Sequence, residues 1–100
     1  MTGTAALKAP GEKLIRIRLS LKAGEVLDAA ISGDFFIHPE ESVGILEEAL
    51  RGPLGGPGVL AERLRRAAEA GGIELVGVSA ESIARCALEA AESCADRVDE

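Results

Sequence analysis

The sequence predicts an α+β domain of two layers, in which a small, mainly antiparallel sheet, built from an N-terminal hairpin and short strands, is covered by three helices. Two observations lead to this prediction. Residues 13–32 contain two runs in which apolar and polar residues alternate, and three later segments repeat apolar residues at helical spacing. The chain has 100 residues, a length that usually closes around one core. We therefore expect one domain over residues 1–100, with residues 1–11 as an extended N-terminal segment.

The two alternating runs predict a hairpin whose loop sets the register. In residues 13–21 the apolar residues Ile15, Ile17, Leu19 and Leu21 point one way and Leu14, Arg16, Arg18 and Ser20 the other, which is typical of a strand with one buried face. A two-residue loop would set Leu19 against Asp28 and mix the two faces. We therefore predict a loop of three residues, Lys22 to Gly24, with Gly24 in the left-handed conformation. The pairs that follow are Leu19 with Leu27, Ile17 with Ala29, Ile15 with Ile31, and Arg18 with Asp28 on the outer face.

A short third strand and a helix follow the hairpin. Residues 35–37 are apolar, too few for a helix, and bounded by Gly33 and Pro39, which predicts a strand. Pro39 suits the first position of a helix, and the two glutamates after it complement the positive end of the helix dipole. The helix is expected to end at Gly52, where a stretch rich in Gly and Pro, residues 52–58, breaks the regular structure.

Two more helices flank a last strand. The second helix is predicted over residues 59–70 and is ended by Gly71 and Gly72. Residues 73–78 are apolar and rich in β-branched side chains, which predicts an extended segment. Ser79 caps the last helix. The inward stripe of this helix is expected to comprise Ile83, Cys86, Ala87, Ala90, Ala91, Cys94 and Val98.

The charge of the chain is uneven and disfavours some classes of partner. The formal net charge is −6, from eleven Lys and Arg against seventeen Asp and Glu, which argues against nucleic acids and anionic membranes. Residues 1–22 nevertheless carry five bases and one acid, a net charge of +4, whereas residues 23–100 have a net charge of −10. No apolar run reaches the ~18 residues of a membrane span, and residues 1–4 do not resemble a signal peptide. We expect a soluble cytoplasmic protein.

Neither a metal site nor an active site is evident in the sequence. Cys86 and Cys94 lie eight residues apart on one helix, a separation of about 12 Å that exceeds the ~7 Å a disulfide allows, so we expect reduced, buried thiols. One histidine and no Cys-x-x-Cys spacing disfavour zinc or iron–sulfur binding. The chain lacks a phosphate-binding loop and a nucleophile motif, so we expect it not to be catalytic alone. His38, with no nucleophile or orienting acid beside it, is interpreted as flanking a helix start.

The only aromatic residues, Phe35 and Phe36, are adjacent and follow Asp34. Neighbouring strand residues point to opposite faces, so one phenylalanine should join the core and the other should point outward. Regular alternation from Ile31 places Phe35 inward. A bulge at Gly33 would reverse the assignment, and we favour Phe36 as the outward residue. Either a helix of this domain covers the outward ring or that ring anchors an interface, and alternation does not choose between the two.

Three polar residues have two interpretations each. Asp34 is either a turn former that accepts backbone hydrogen bonds or an acid that organises an interface. Arg16 and Arg18 lie on the outer face of the predicted hairpin, where they are either solvated or form a basic face suited to an acidic partner. The sequence alone leaves these interpretations open.

Four segments, taken in order, carry a resemblance to a known family. They are Lys8-Ala-Pro-Gly-Glu-Lys-Leu14 before the hairpin, Ile31-Ser-Gly-Asp-Phe-Phe-Ile-His-Pro39, a helix ending Leu-Arg-Gly52, and Ile73-Glu-Leu-Val-Gly-Val-Ser79 before the final helix. This arrangement resembles the C-terminal accessory domain of lipoate–protein ligases, which exists as a separate small protein in archaea and some bacteria. The match covers nearly the whole chain, and Ser-Gly-Asp-Phe-Phe is its most specific part. The sequence contains no catalytic domain and so resembles the detached subunit of a two-protein ligase.

The resemblance implies a non-catalytic accessory subunit that a catalytic subunit needs to activate lipoate with ATP to lipoyl-AMP. The lipoyl group then passes to a lysine on the lipoyl domains of 2-oxoacid dehydrogenases or on the glycine-cleavage H protein. The complex is implied to use ATP, Mg²⁺ and lipoate, none of them bound by this chain alone, and the implied direct partner is the catalytic subunit. The residues expected at the partner interface, or in organising the active site, are Lys8, Arg16, Arg18, Asp34, Phe35 and Phe36, with Gly24 and Gly33 as turn residues.

The implied fold is related to sulfur-transfer and iron–sulfur scaffold proteins, which supplies an alternative function. A carrier of that kind needs an exposed cysteine of low pKa on a loop or at a helix start. Cys86 and Cys94 are predicted to lie mid-helix and inward, which opposes this function. A general protein-interaction domain is a third possibility that the sequence leaves open.

Overall fold

The computed structural model describes the backbone of residues 1–98 and the side chains of residues 1–94. In chain order its elements are β1 (Thr2–Leu7), β2 (Ile15–Lys22), β3 (Glu25–Gly33), β4 (Phe36–His38), a 3₁₀ helix (Glu40–Ser42), α1 (Val43–Ala49), α2 (Pro57–Gly71), β5 (Glu74–Val76) and α3 (Ala80–Val98). Strands β1, β2 and β3 form an antiparallel sheet in that order, and β4 pairs with β5 in a separate small sheet. The predicted α+β class is confirmed. The side chain of Val98, predicted on the inward stripe of the last helix, lies outside the described residues.

The helices cover one face of the three-stranded sheet. Helix α3 packs along β1 and β2, α1 packs against β3, and α2 lies against both α1 and α3. At Gly3 the approach of β1 to α3 is so close that a Cβ atom would lie 2.2 Å from the Ala90 carbonyl oxygen. The largest side chains buried between the layers are Ile15, Ile17, Leu19, Leu46, Leu50, Leu60, Leu64, Ile83, Cys86 and Cys94.

The edge strand β1 lies within the segment that we expected to be extended. Its residues pair antiparallel with β2, for example Gly3 with Leu19 and Ala5 with Ile17. The run Thr-Gly-Thr-Ala-Ala-Leu is made mostly of small residues, and Gly and Ala are depleted in strands. Strand formation here therefore depends on packing against α3 and not on local propensity.

The predicted hairpin loop of three residues is wrong. Lys22 pairs with Glu25, so only Ala23 and Gly24 form the loop. Both have positive φ angles, 55° and 80°, as a type I′ turn requires. The predicted left-handed conformation of Gly24 is confirmed.

A bulge at Leu27 reconciles the short loop with a continuous buried face. On its two sides, Ser20 pairs with Asp28 and Leu21 pairs with Val26, so Leu27 is the extra residue. The prediction that Leu27 points into the core is wrong, since its side chain is 50% exposed. Val26 is buried in its place.

Beyond the bulge, the register differs from the prediction by two residues. The observed pairs are Leu19 with Ala29, Ile17 with Ile31, Ile15 with Gly33, and Arg18 with Ala30. The predicted pairing of Arg18 with Asp28 is therefore wrong. A shift by two residues keeps every side chain on its own face. For this reason Ile15, Ile17 and Leu19 are buried, while Arg16 and Arg18 on the same strand are exposed.

The helices lie where the sequence predicts them, with different ends. Pro39 has an extended conformation and precedes the 3₁₀ helix, so it does not occupy the first helical position. Helix α2 begins at Pro57, inside the stretch predicted as a break, and is ended by Gly72 with a φ of 64°. The predicted cap of α3 is confirmed, because Ser79 Oγ accepts the backbone N–H of Ser82 at 3.1 Å.

Candidate partner-binding site

Three of the segments that carry the family resemblance meet at one end of the molecule, which we call the junction. The backbone N–H of Lys13 donates to the Gly77 carbonyl oxygen at 2.7 Å, and the N–H of Asp34 donates to the Leu14 carbonyl oxygen at 3.0 Å. These four residues define the junction. Through them, the segment before β2 is bonded both to the turn after β3 and to the turn after β5.

Gly33 makes this close approach possible. Its φ angle is 149°, a value that L-residues with side chains rarely adopt. A Cβ atom at this position would lie 2.2 Å from the Leu14 carbonyl oxygen and 3.0 Å from Ile15 Cα. A larger residue would therefore push the end of β3 away from the start of β2, and the Asp34 N–H away from its acceptor.

Side chains also tie the junction to the start of α3. Ser82 Oγ donates to a carboxylate oxygen of Glu12 at 2.6 Å, and Ser79 Oγ donates to Ser82 Oγ at 3.1 Å. Because Ser82 is buried, these bonds satisfy a hydroxyl that would otherwise be costly to remove from water. The segment before β2 is thus fixed by side chains as well as by the backbone.

The outer side of β4 and β5 carries an exposed apolar surface beside the junction. Phe36 pairs with Val76 across the two strands. Their side chains are 68% and 46% exposed, whereas the neighbouring Ile37 is buried. We call Phe36 and Val76 the apolar face. An exposed aromatic ring beside an exposed aliphatic side chain is typical of a contact surface for another protein.

The expectation that Phe36 is the outward phenylalanine is confirmed. Phe35 is half-buried and packs against the core, on the same side as Ile31 and Ile37. The alternation of inward and outward side chains that includes Ile31 therefore continues past Gly33 without a bulge. Phe36 is 68% exposed, so no helix of the described chain covers its ring. That the ring anchors an interface stays a prediction.

Polar groups and a small cavity border the apolar face. His38 pairs with Glu74 on the same two strands, and both are exposed. His38 therefore lies at an open strand end and not in a pocket with a nucleophile. A cavity of about 250 Å³ lies beside the Phe36 ring and is lined in part by Ser32, Gly33 and Glu40.

The remaining predicted site residues lie on separate surfaces. Lys8 follows β1 and is exposed, and Arg16 and Arg18 are exposed on the outer face of the three-stranded sheet. Asp34 is exposed, in the turn that it forms with Phe35 between β3 and β4. Its N–H is bonded to the junction, while its carboxylate accepts no hydrogen bond from residues 1–94, so the turn role belongs to the backbone. Contact of these residues with a partner stays a prediction.

Both thiols lie inside the molecule. Cys86 and Cys94 are buried and unbridged, as the sequence predicts. Burial, with a contribution from the Glu89 carboxylate, raises the pKa of Cys86 to about 11, so this residue is a protonated thiol at neutral pH. Its Sγ donates to the Ala5 carbonyl oxygen at 3.5 Å. A sulfur carrier needs the opposite, an accessible thiolate, and the geometry therefore opposes that function.

The described residues contain neither a phosphate-binding loop nor a cluster of metal ligands. The Gly-rich stretch that ends at Gly58 is followed by Val59 and Leu60, not by the Lys and Ser or Thr of a phosphate-binding loop. The side chains of residues 1–94 contain no group of three or more His, Cys, Asp and Glu placed to hold a metal ion. In the same part of the chain, no helix has both the length and the apolar composition to cross a membrane.

Reasoning from the sequence misses two residues of the site, Val76 and Gly77. The apolar run of residues 73–78 predicts a strand but not its partner, because short strands that are distant in sequence pair through tertiary packing. The signal that could have identified them is the family resemblance, whose last segment contains both.

Two proteins similar to this chain come from Thermoplasma acidophilum. No protein-family model matches the chain. The lipoate–protein ligase A subunit 2 of Thermoplasma acidophilum is 51% identical over 39 residues, which are 39% of this chain and 42% of that protein. The chain thus aligns with less than half the length of this curated relative.

A solved structure is similar over most of the chain. It is described as an archaeal lipoylation system, a bipartite lipoate protein ligase and its E2 lipoyl domain, from Thermoplasma acidophilum. One of its chains is similar with a TM-score of 0.71 and 32% identity, over 87% of this chain and 94% of that chain. The similarity therefore includes the sequence as well as the fold. This chain belongs to the lipoate–protein ligase family, as a subunit of a bipartite ligase.

Proposed function

We propose that this chain is the non-catalytic accessory subunit of a two-protein lipoate–protein ligase, and that a separate catalytic subunit needs it to convert lipoate and ATP to lipoyl-AMP. The observation that carries the proposal is the 32% identity with a chain of a bipartite ligase system, over 94% of that chain. The activated lipoyl group then passes to a lysine of an acceptor, such as a lipoyl domain of a 2-oxoacid dehydrogenase or the glycine-cleavage H protein.

The side chains of this chain indicate which roles belong to it and which belong to the catalytic subunit. We assign the binding of ATP, Mg²⁺ and lipoate to the catalytic subunit, an assignment supported by the lack of a phosphate-binding loop and of a metal-ligand cluster among the described residues. The contribution of this chain is then association with that subunit and orientation of its active site. An acyl-adenylate is a reactive mixed anhydride, and a subunit that closes over it excludes the water that would hydrolyse it.

The apolar face is the surface that we assign to this association. Phe36 and Val76 together supply an aromatic and an aliphatic side chain that the domain itself does not bury. The backbone beneath them is held by the Lys13–Gly77 and Asp34–Leu14 hydrogen bonds. A surface fixed in this way loses little conformational entropy on binding, which favours a stable complex.

Separate assays of the two half-reactions test the proposal. Formation of lipoyl-AMP is measured with the purified cognate catalytic subunit, without an acceptor, in the presence and absence of this chain. Transfer is measured with synthetic lipoyl-AMP and a lipoyl domain. We expect the chain alone to form no lipoyl-AMP and to raise the rate of formation by the catalytic subunit about a hundredfold, the order of effect that correct positioning supplies. A rate of lipoyl-AMP formation that is the same with and without the chain would reject the proposal.

A further inference from the structure

The outer face of the three-stranded sheet is open in the described chain. The helices pack on the opposite face, where the apolar side chains of β2 are buried. In the middle of the open face, Arg16 and Arg18 stand two residues apart on the central strand and point the same way. Both are exposed.

Small side chains flank the two arginines on both sides. In the register of the sheet, Ala6 and Ser32 are the neighbours of Arg16, and Thr4 and Ala30 are the neighbours of Arg18. The result is a groove of about 560 Å³ with two guanidinium groups in it. We call it the basic groove and define it by these six residues. Each guanidinium presents five N–H donors in a planar arrangement that matches a carboxylate.

Among the described side chains, those of residues 1–94, these two charges have no counter-ion. The ion pairs there all lie between residues 48 and 81, and neither Arg16 nor Arg18 takes part in one. The chain has seventeen acidic residues against eleven basic ones, so carboxylates are not scarce. The acid on the neighbouring strand, Asp28, lies opposite Ser20 and beyond Arg18 in the register. The groove is thus complementary in charge to a carboxylate-bearing surface of another protein.

The basic groove adjoins the cavity beside the apolar face. Ser32 lines both of them, because it lies on β3 just before the turn at Gly33. One partner that covers Phe36 can therefore extend across Ser32 onto Arg16. This continuity favours one protein on both surfaces over two separate partners.

We propose that the basic groove binds a carboxylate-bearing surface of the catalytic subunit, next to the part of that subunit that covers the apolar face. This inference rests on the proposed function. Arg16 and Arg18 then steer the two subunits together, and the carboxylates that they meet fix the orientation of the complex. Contacts of this kind act mainly on the association rate and weaken as salt screens them.

The test compares two double variants that remove the same charge. Arg16→Gln with Arg18→Gln removes the charges of the groove. Arg51→Gln with Arg66→Gln removes two exposed charges on the helical side, each in an exposed ion pair whose loss has little effect on stability. Both changes take the formal charge from −6 to −8. Thermal melting first establishes that both variants are folded.

Binding of the purified cognate catalytic subunit is then measured by calorimetry and by stopped-flow mixing, at low and at high salt. We expect the groove variant to have an about tenfold higher Kd at low salt, mainly through slower association, and a smaller dependence on salt than the wild-type chain. We expect the control variant to bind within about twofold of wild type.

Each other outcome overturns the inference. Equal losses in the two variants would mean that net charge acts and not the groove. Unchanged binding of the groove variant to the catalytic subunit, with or without weaker binding of a lipoyl domain, would remove the groove from the subunit interface while leaving the proposed function in place. No binding by the wild-type chain would overturn the proposed function itself, and this inference with it.

Discussion

The Glu47 carboxylate closes the open edge of the sheet, since its Oε2 atom accepts the backbone N–H of Ile31 at 2.8 Å. Among the described strands, β3 has a neighbour on one side only, and this N–H points to the other side, toward α1. A bridge between Val26 and Gly52 covers the same edge further along. Together these contacts satisfy backbone groups that would otherwise be unpaired and open to another strand.

We expect Glu47→Ala to lower the free energy of unfolding by about 1 to 3 kcal/mol, because the part-buried N–H of Ile31 loses its acceptor. The neighbouring change Glu48→Ala removes only an exposed ion pair with Arg51 and should cost less than about 0.5 kcal/mol. Urea unfolding followed by circular dichroism measures both. Equal stability of the two variants would show that water replaces the carboxylate at no cost.

Alanine substitutions at the two phenylalanines should affect different properties, one the stability of the domain and the other its binding to the catalytic subunit. Phe36→Ala should leave the Tm nearly unchanged, because the ring is 68% exposed. It should weaken binding to the catalytic subunit by about 2 kcal/mol, roughly thirtyfold. Phe35→Ala should instead lower the free energy of unfolding by about 3 kcal/mol, since that ring packs on the core. Thermal melting and calorimetric titration measure the two effects. If both variants melt early and neither loses binding selectively, the apolar face is not the docking surface.

Two glycine substitutions should change the free energy of unfolding in opposite directions. Gly33→Ala adds a Cβ atom 2.2 Å from the Leu14 carbonyl oxygen and strains the backbone, and we expect a loss of about 3 kcal/mol in the free energy of unfolding. Gly44→Ala, in α1, adds a Cβ atom with nothing within 4 Å. It should increase that free energy by about 0.5 to 1 kcal/mol through helix propensity. Denaturant titration of both variants is the measurement, and a fully stable Gly33→Ala variant would contradict the close approach at the junction.

The buried thiol of Cys86 should make the free energy of unfolding depend on pH in the alkaline range. Burial raises the pKa of Cys86 from 9.0 to about 11 in the folded chain. The contribution of the protonated thiol to the free energy of unfolding is therefore complete below about pH 9. It is lost as the pH rises toward 11, because the unfolded chain releases the proton at a lower pH than the folded chain does. Between pH 8 and 10.5 this loss should amount to about 2 kcal/mol. Cys86→Ala lacks this component, so the difference in unfolding free energy between wild type and variant should shrink over that range. A difference that stays constant with pH would mean that the thiol is not buried as described.

The alternation of apolar residues predicted the two hairpin strands because it is a local pattern of the chain. The register could not be predicted from this pattern, because Val26 and Leu27 are both apolar. In a strand without a bulge, the alternation that buries Ala29 and Ile31 would bury Leu27. A bulge selects Val26 instead. The turn was also hard to predict, because Ala23 has a positive φ, which is uncommon for a residue other than glycine.

The site could be predicted only in part, for a similar reason. Counting alternate positions from Ile31 was enough to place Phe36 outward, since both residues belong to one short stretch of chain. The pairing of Phe36 with Val76 and the bond between Lys13 and Gly77 join segments that are distant in sequence. One sequence has no local signal for which segments meet, so the junction became visible only in the folded chain.

The accessory role is tested by titrating the cognate catalytic subunit with this chain and measuring the rate of lipoyl-AMP formation without an acceptor protein. We expect the rate to rise with the concentration of the chain and then to saturate. The Phe36→Ala variant should need about thirtyfold more protein for the same rate. A rate that does not depend on the concentration of this chain would rule out the accessory role.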